Sequence, residues 1–407
     1  MKKTLWTKNF TLVTAASALG AVGGIAGGFA LSFLVFDETG STLASALILA
    51  IQLVPFFVLP LFLAPVMDRL PRKPFLVAGD LIDGVLYALM GLYLLKFEFS
   101  YAAYLGYSLL LACLESFDEL AFQSIYPKLI PDGMEQQGYA VSTTLYPILR
   151  VLMLPLAGVL LDAVGAAWIL IGQGGLSLLA ALIESNINIT EHRREGGEKL
   201  FTLRQWRADI REAAEYLKNE RGVTGIFSYM AVTNGVASGY SSILVAFFRT
   251  FPGFTAAMYS LFSVFEFAGR TLGGAVQYKL KIAKEKKFGF TFLVYQIYET
   301  MDMCLLWLPY PLMLANRALV GFLGANSATM RQAAMQTYIP EELRARLNAF
   351  QNMLITAASG VFTLAIGALG EVLDYRLCVT ICGATAFIAA WLLVWRRRAD
   401  VRKIFEK

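Results

Sequence analysis

The sequence predicts an all-α integral membrane protein of about twelve transmembrane helices, folded as two parallel, pseudo-symmetric six-helix bundles. Three observations carry this: the composition, a regular succession of apolar runs, and a one-sided distribution of basic residues. Of 407 residues, 57% are hydrophobic and only 16% charged, with a mean hydropathy of +0.58. An ordinary soluble domain is roughly 25% charged. Soluble cores stop growing beyond about 250–300 residues, so this much apolar surface needs lipid as a second solvent.

The runs follow in order near 10–36, 41–67, 75–95, 101–125, 138–163 and 166–189, then 223–248, 255–278, 288–308, 312–336, 348–370 and 377–395. Each approaches the roughly 20 apolar residues a spanning helix requires. Lipid offers no partner to backbone groups, which makes each run helical, and none shows the alternating polarity of barrel strands. The first run is too long for a cleavable signal peptide, and its stretch from Val22 to Gly28 reads as packing surface. With the N-terminus placed in the cytoplasm, 28 of the 35 Lys and Arg fall inside, three outside (Lys96, Arg249, Arg376) and four at membrane depth (Arg150, Arg270, Arg317, Arg331). That asymmetry puts both termini in the cytoplasm. Residues 190–222 hold eight Lys/Arg and seven Asp/Glu and divide a bundle at 1–189 from another at 223–407. Within this linker Leu203, Trp206, Ile210, Ala213, Ala214 and Leu217 recur at helical spacing, as in an amphipathic helix on the cytoplasmic membrane face.

Several function classes drop out. The single histidine, His192, lies in the charged linker, which leaves no His-ligated metal site or Ser-His-Asp triad at membrane depth. Cys113, Cys304, Cys378 and Cys382 all lie in apolar runs, and Cys378 and Cys382 are spaced too widely for a CxxC redox pair. There is no P-loop sequence. The net charge of +5 follows the membrane topology and is no sign of nucleic acid. The expectation is a protein that is not an enzyme and needs no cofactor or metal. Its partners are the bilayer, a small-molecule substrate and protons, and it works as a monomer.

The two halves repeat. Gln123, Ile130-Pro131, Ala140 and Gly158 recur 209 residues later as Gln332, Ile339-Pro340, Ala349 and Gly367, and Gly158-x-x-x-Asp162 matches Gly367-x-x-x-Glu371. Gly24 to Gly28 resembles Gly235 to Gly239 at an offset of 211. An even number of spans per half makes such repeats parallel. Between the second and third runs stands Ala64-Pro-Val-Met-Asp68-Arg69-Leu-Pro71-Arg72-Lys73.

Six plus six spans, a charged middle loop and this basic turn together resemble the major facilitator superfamily, whose motif there is G-x-x-x-D-R-x-G-R-[KR]. Asp68, Arg69, Arg72 and Lys73 match, while Ala64 and Pro71 replace the glycines. In the second half Gly274 is kept, but Tyr278 stands where the acid would be. The resemblance implies a cytoplasmic gate: an acid at a helix end accepts hydrogen bonds from a neighbouring helix or an arginine and holds that side closed. The alternative is that these basic residues only fix orientation. Pro155 and Gly158 in the fifth span match part of the g-x-x-x-G-P-x-x-G motif of antiporters. The stretch from Gln123 to Pro131, with Ile339 to Arg346, is similar to the macrolide-efflux and multidrug branch.

Charges at membrane depth cost at least about 2.5–3.5 kcal/mol each and are functional candidates by default. Glu115, Asp118 and Glu119 share one face of the fourth span. Counted from the intervening turn, Glu115 lies at the depth of Arg150, and Arg270 at the depth of Glu299, so both pairs are plausible ion pairs. Glu266 or Asp302 is then a spare acid. The proton-coupling candidates are Glu115, Asp118, Glu266 and Asp302, and the alternative for each is a permanent ion pair. Asp80 and Asp83 reach the interface at the start of the third span, and Glu184 reads as interfacial. Gln52, Tyr146, Arg150, Asn234, Arg270 and Asn326 are the substrate-cavity candidates. The resulting expectation is a multi-pass protein of the bacterial inner membrane that exports a small amphipathic compound in exchange for protons by alternating access. Proton symport of a polar solute and lysolipid translocation are the alternatives.

Overall fold

The computed structural model describes residues 4–67, 71–131, 133–189, 211–212, 214–279 and 282–406. Twelve long helices run through them: α1 (Lys8–Thr39), α2 (Thr42–Met67), α3 (Lys73–Lys96), α4 (Tyr101–Leu129), α5 (Glu135–Val164), α6 (Ala166–Ser185), α7 (Arg221–Thr250), α8 (Ala256–Lys279), α9 (Lys284–Cys304), α10 (Tyr310–Tyr338), α11 (Glu341–Gly370) and α12 (Tyr375–Ala389). A π-helical turn, Ala390–Trp395, carries α12 on, and a short α13 (Arg398–Glu406) follows. No strand occurs among the described residues.

The helix ends have local causes. Thr7 caps α1 by accepting from the Phe10 N–H, and Gly40 ends it at φ +64, a left-handed conformation open to glycine. Asp374 caps α12 by accepting from the Arg376 N–H. Seven of the helices, α1, α3, α5, α6, α7, α11 and α12, are long and apolar enough to cross a membrane by length and composition. Outside that set lie α2, which enters only as a shorter apolar stretch over Thr42–Phe56, and α4, α8, α9 and α10, the helices that carry most of the acids and arginines at membrane depth.

The chain divides into two compact units. Unit 1 comprises Met1–Gly40, Ile51–Phe201 and Pro252–Ser260; unit 2 comprises Ser41–Ala50, Thr202–Phe251 and Leu261–Lys407. In unit 1 the backbones of α3 and α6 touch through glycine. A Cβ on Gly84 would lie 2.9 Å from the Gly174 carbonyl oxygen, and one on Gly174 would lie 2.6 Å from that of Gly84. Without a water-driven hydrophobic force between helices in lipid, such close van der Waals packing is what joins them. In unit 2 the same device packs α7 on α11 (Gly235 against Phe362 and Ala358), α8 on α10 (Gly269 against the Ala318 carbonyl) and α9 on α12 (Gly383 against Met303 and the Glu299 carbonyl).

The internal repeat survives in packing at one place and not at another. Gly158 of α5 receives Ala256 and Ala257 at the start of α8, where an added Cβ would meet the Ala257 Cα at 2.7 Å. Its counterpart Gly367 of α11 receives Thr42, Leu43 and Ala46 at the start of α2, with a Cβ meeting that of Ala46 at 2.3 Å. Gly24 and Gly28, in contrast, face open space. The packed glycines of α1 are Gly23 and Gly27, set against Gln173 of α6. A one-residue offset turns the helix by about 100°, so α1 presents its glycines to a different neighbour than α7 does.

Candidate functional site

Unit 1 holds a half-open cavity of about 640 Å³ lined from α1, α4 and α5. That volume lies within the roughly 300–1,000 Å³ of small-molecule sites. Proline shapes two of its walls. Pro127 of α4 and Pro147 of α5 lack an N–H, so the carbonyls of residues 123 and 143 have no helical partner there. Phe122, Tyr126, Tyr139 and Tyr146 supply aromatic surface; Ser17 and Ser142 supply hydroxyls. Phe122 and Tyr126 pack at 5.0 Å between ring centroids, and the Tyr126 hydroxyl donates to the Gly138 carbonyl at 2.8 Å, which fixes α4 to α5. Among the described residues the one charged side chain in the lining is Glu119, which accepts a hydrogen bond from Gln123.

Next to Glu119 the acids of three helices come together. Asp118 has Asp80, Asp83, Glu115 and Glu119 as its electrostatic neighbours, and Glu184 has Asp80 and Asp118. Gly79 of α3 leaves the room: a Cβ there would stand 2.9 Å from Asp118 Oδ1. Glu115 accepts from the Tyr87 hydroxyl at 3.3 Å. Among the described residues Asp118 Oδ1, Asp83 Oδ1 and Glu184 Oε2 are buried without a hydrogen-bond partner. Two expectations are corrected here. Glu115 does not pair with Arg150, because its face of α4 turns to α3, while Arg150 is exposed on α5. Glu184 is not interfacial but 3% exposed, since it shares the buried face of α6 with Gln173, Ser177, Ala180 and Ala181.

Unit 2 treats its charges differently. Arg270 bridges Glu266 on its own helix at 2.7 Å, in place of the expected Glu299. The reason is helix packing: α8 meets α10 through Gly269 and Gly321, whereas Glu299 points among α7 and α12. Asp302 is no spare acid; it forms a buried ion pair with Arg317, whose guanidinium also donates to Asn316 Oδ1 at 3.0 Å and to the Tyr240 hydroxyl at 3.3 Å. Arg331 donates to the Tyr295 hydroxyl at 3.1 Å. Glu299, 2% exposed, accepts from the Tyr229 hydroxyl at 3.1 Å and lines a small void with Tyr240, Tyr298 and Cys382. Depth counting assigns Glu299 to Arg270 and so misses it as a site residue.

The remaining candidates are scattered. Tyr146 lines the cavity of unit 1, and Arg150 lies one turn further along α5, outside that lining. Gln52 is half-buried on α2. The Asn234 amide donates to the Met230 carbonyl at 2.8 Å, and that of Asn326 to the Phe322 carbonyl at 2.8 Å. Of the gate motif, Asp68 and Arg69 lie outside the described residues. Arg72 immediately precedes α3, and Lys73 donates to the Ser185 carbonyl at the end of α6, 2.7 Å away. Most of the expected linker helix also lies outside the described residues; Leu217 is buried in the core of unit 2 with Val223 and Ile404.

Comparison with known proteins gives a consistent result. The family model described as Major Facilitator Superfamily matches residues 12–295 and 301–406. The chain is similar in fold to the crystal structure of a peptide transporter, POT, a point mutant in complex with alafosfalin. The TM-score is 0.71 at 11% identity, over 100% of this chain and 98% of that one. It is also similar to a bacterial metal transporter (TM-score 0.68, 14% identity, all of both chains). A third likeness is to a bacterial homolog of the human lysosomal transporter Spinster in an inward-facing, unoccupied conformation (TM-score 0.66, 14% identity, 98% of this chain and 94% of that one). No curated protein sequence matches this chain.

Proposed function

The chain belongs to the Major Facilitator Superfamily, a superfamily of secondary transporters, and on that premise we propose that it exports a small amphipathic compound in exchange for protons. Transport proceeds by alternating access, in a bacterial plasma membrane with both termini in the cytoplasm. One observation carries the reading: Asp118 and Glu119 are adjacent, the second lining the cavity, the first set among Asp80, Asp83 and Glu115 with no basic neighbour among the described residues. Negative charge gathered at membrane depth has to be balanced, and no basic residue among the described ones does so in this group. A proton that arrives and leaves does so. Exchange is the sense of coupling we propose, with cargo and proton competing for neighbouring carboxylates of one helix.

Dye accumulation in cells tests direction and coupling together. Cells expressing the chain should accumulate less of an amphipathic fluorescent dye than control cells. A protonophore should abolish the difference, and so should Asp118→Asn. Greater accumulation in expressing cells would mean uptake, and a difference that survives the protonophore would remove the proton from the mechanism.

A further inference from the structure

We propose that the end of α12 and α13 form a binding site for an anionic phospholipid of the surrounding bilayer, with its phosphate on Arg398 and Arg402 and its acyl chains along α9 and α12. This goes beyond the transport reading and rests only on the chain spanning a membrane. Residues 285–287 and 396–406 hold seven Lys or Arg against three acids. Basic clusters of this size next to a membrane helix attract anionic headgroups. Here the fold also holds two of the arginines in place. Val401, Ile404 and Phe405 bury the apolar stripe of α13 in the core of unit 2, which fixes the helix. Arg398 and Arg402, one turn apart, then stand on aromatic faces. The Arg398 guanidinium lies 5.4 Å over the Trp395 ring and that of Arg402 5.4 Å over the Phe288 ring. The two rings stack at 6.2 Å between centroids.

A planar guanidinium laid on a ring face keeps its N–H edge free to fork onto a phosphate. Both arginines are exposed, and the ion pair that α13 forms, Lys403 with Asp400 at 3.0 Å, includes neither. The apolar part of the site adjoins this pair. Trp391 meets Trp395 at 5.3 Å, packs edge-on to Phe292 of α9 at 5.2 Å and donates its indole N–H to Gln296 at 2.6 Å. It is 41% exposed, as suits an amphipathic ring at headgroup depth. Leu293 of α9 and Leu392, next to Trp391, are exposed and give apolar surface to the chains. Charge selects the headgroup. A choline or ethanolamine group would carry its ammonium into an excess of basic residues, and the ring faces that would attract it are covered by Arg398 and Arg402. A glycerol headgroup brings the phosphate without the cation.

The test is tryptophan fluorescence of the full chain reconstituted in phosphatidylcholine vesicles, with phosphatidylglycerol brominated in its acyl chains as the probe. Brominated chains quench a tryptophan that they touch, and Trp391 is the reporter beside the site. Brominated phosphatidylglycerol should quench more than brominated phosphatidylcholine at equal mole fraction, a preference of about fivefold or more. Trp391→Phe should remove most of that excess. Arg398→Gln combined with Arg402→Gln should bring the preference down to about one. Lys286→Gln combined with Arg396→Gln removes as much charge from exposed positions off the rings and should keep the preference within about twofold. All four positions are exposed, so both double variants fold. An equal loss in the two would mean a diffuse basic face and would overturn the site. So would equal quenching by the two lipids, or release of the bound lipid by millimolar inorganic phosphate. No gradient and no cargo enter the assay, so its failure leaves the direction and coupling of transport untouched.

Discussion

Glu371 illustrates what one residue does at a helix end. It follows Gly367 by one turn, and its carboxylate accepts from Leu43 N at 2.9 Å, Ser41 Oγ at 2.7 Å and Thr42 Oγ1 at 3.1 Å, all at the start of α2. Burial pushes its pKa up, but the donors from Leu43, Ser41 and Thr42 outweigh burial and hold the carboxyl below the usual carboxylate range. The sign follows from linkage: the contact contributes fully above the ordinary glutamate pKa of about 4.3 and fades as pH falls through the lower folded value. Purified protein should therefore melt higher than Glu371→Gln at about pH 7, and the gap should close below about pH 4. An equal gap at every pH would contradict this. Gly367 itself has no room for a methyl group, so Gly367→Ala and its repeat counterpart Gly158→Ala should each destabilise by about 1–3 kcal/mol of overpacking, read as a fall in the melting midpoint. These two glycines are legible in the sequence because the repeat fixes their spacing. The role of Glu371 is half legible, as the match of Asp162, but its donors sit 328–330 residues away and no local pattern announces them.

At the scale of elements, what decides a site is the rotation of each helix about its axis. The number and order of the spans can be read from hydropathy, since both follow from the composition of consecutive residues. Partners across helices cannot. Arg270 and Glu299 share a depth, yet α8 turns its arginine to Glu266 one turn away, a spacing visible in the sequence but outweighed by the depth count. Glu184 reads as interfacial from its position near a helix end, and only the contact of α6 with α3 shows it to be buried. The Asp302–Arg317 pair gives this scale its prediction. Asp302→Asn would leave Arg317, 2% exposed, with no carboxylate, and should destabilise by about 3–5 kcal/mol, seen as a large fall in the melting midpoint. Glu299→Gln keeps an acceptor for the Tyr229 hydroxyl and should melt near the wild type. A mild Asp302→Asn would mean that the pair is not structural, and would return Asp302 to the list of coupling acids.

Across the whole molecule, one sequence repeat has been given two electrostatic roles. Unit 2 pairs Arg270 with Glu266 and Arg317 with Asp302 and seats Arg331 on the Tyr295 hydroxyl, which makes these side chains a frame. Unit 1 gathers Asp80, Asp83, Glu115, Asp118 and Glu184 without a basic neighbour among the described residues and sets them beside the cavity. Coupling on this account belongs to unit 1, with Asp118 at the centre of the acidic group. Reconstituted vesicles containing the Asp118→Asn variant provide the most direct test, through two fluxes of the same amphipathic dye. The account predicts that dye-for-dye exchange at equal pH continues near the wild-type rate while accumulation driven by a pH gradient disappears. Gradient-driven accumulation that persists in this variant would contradict it.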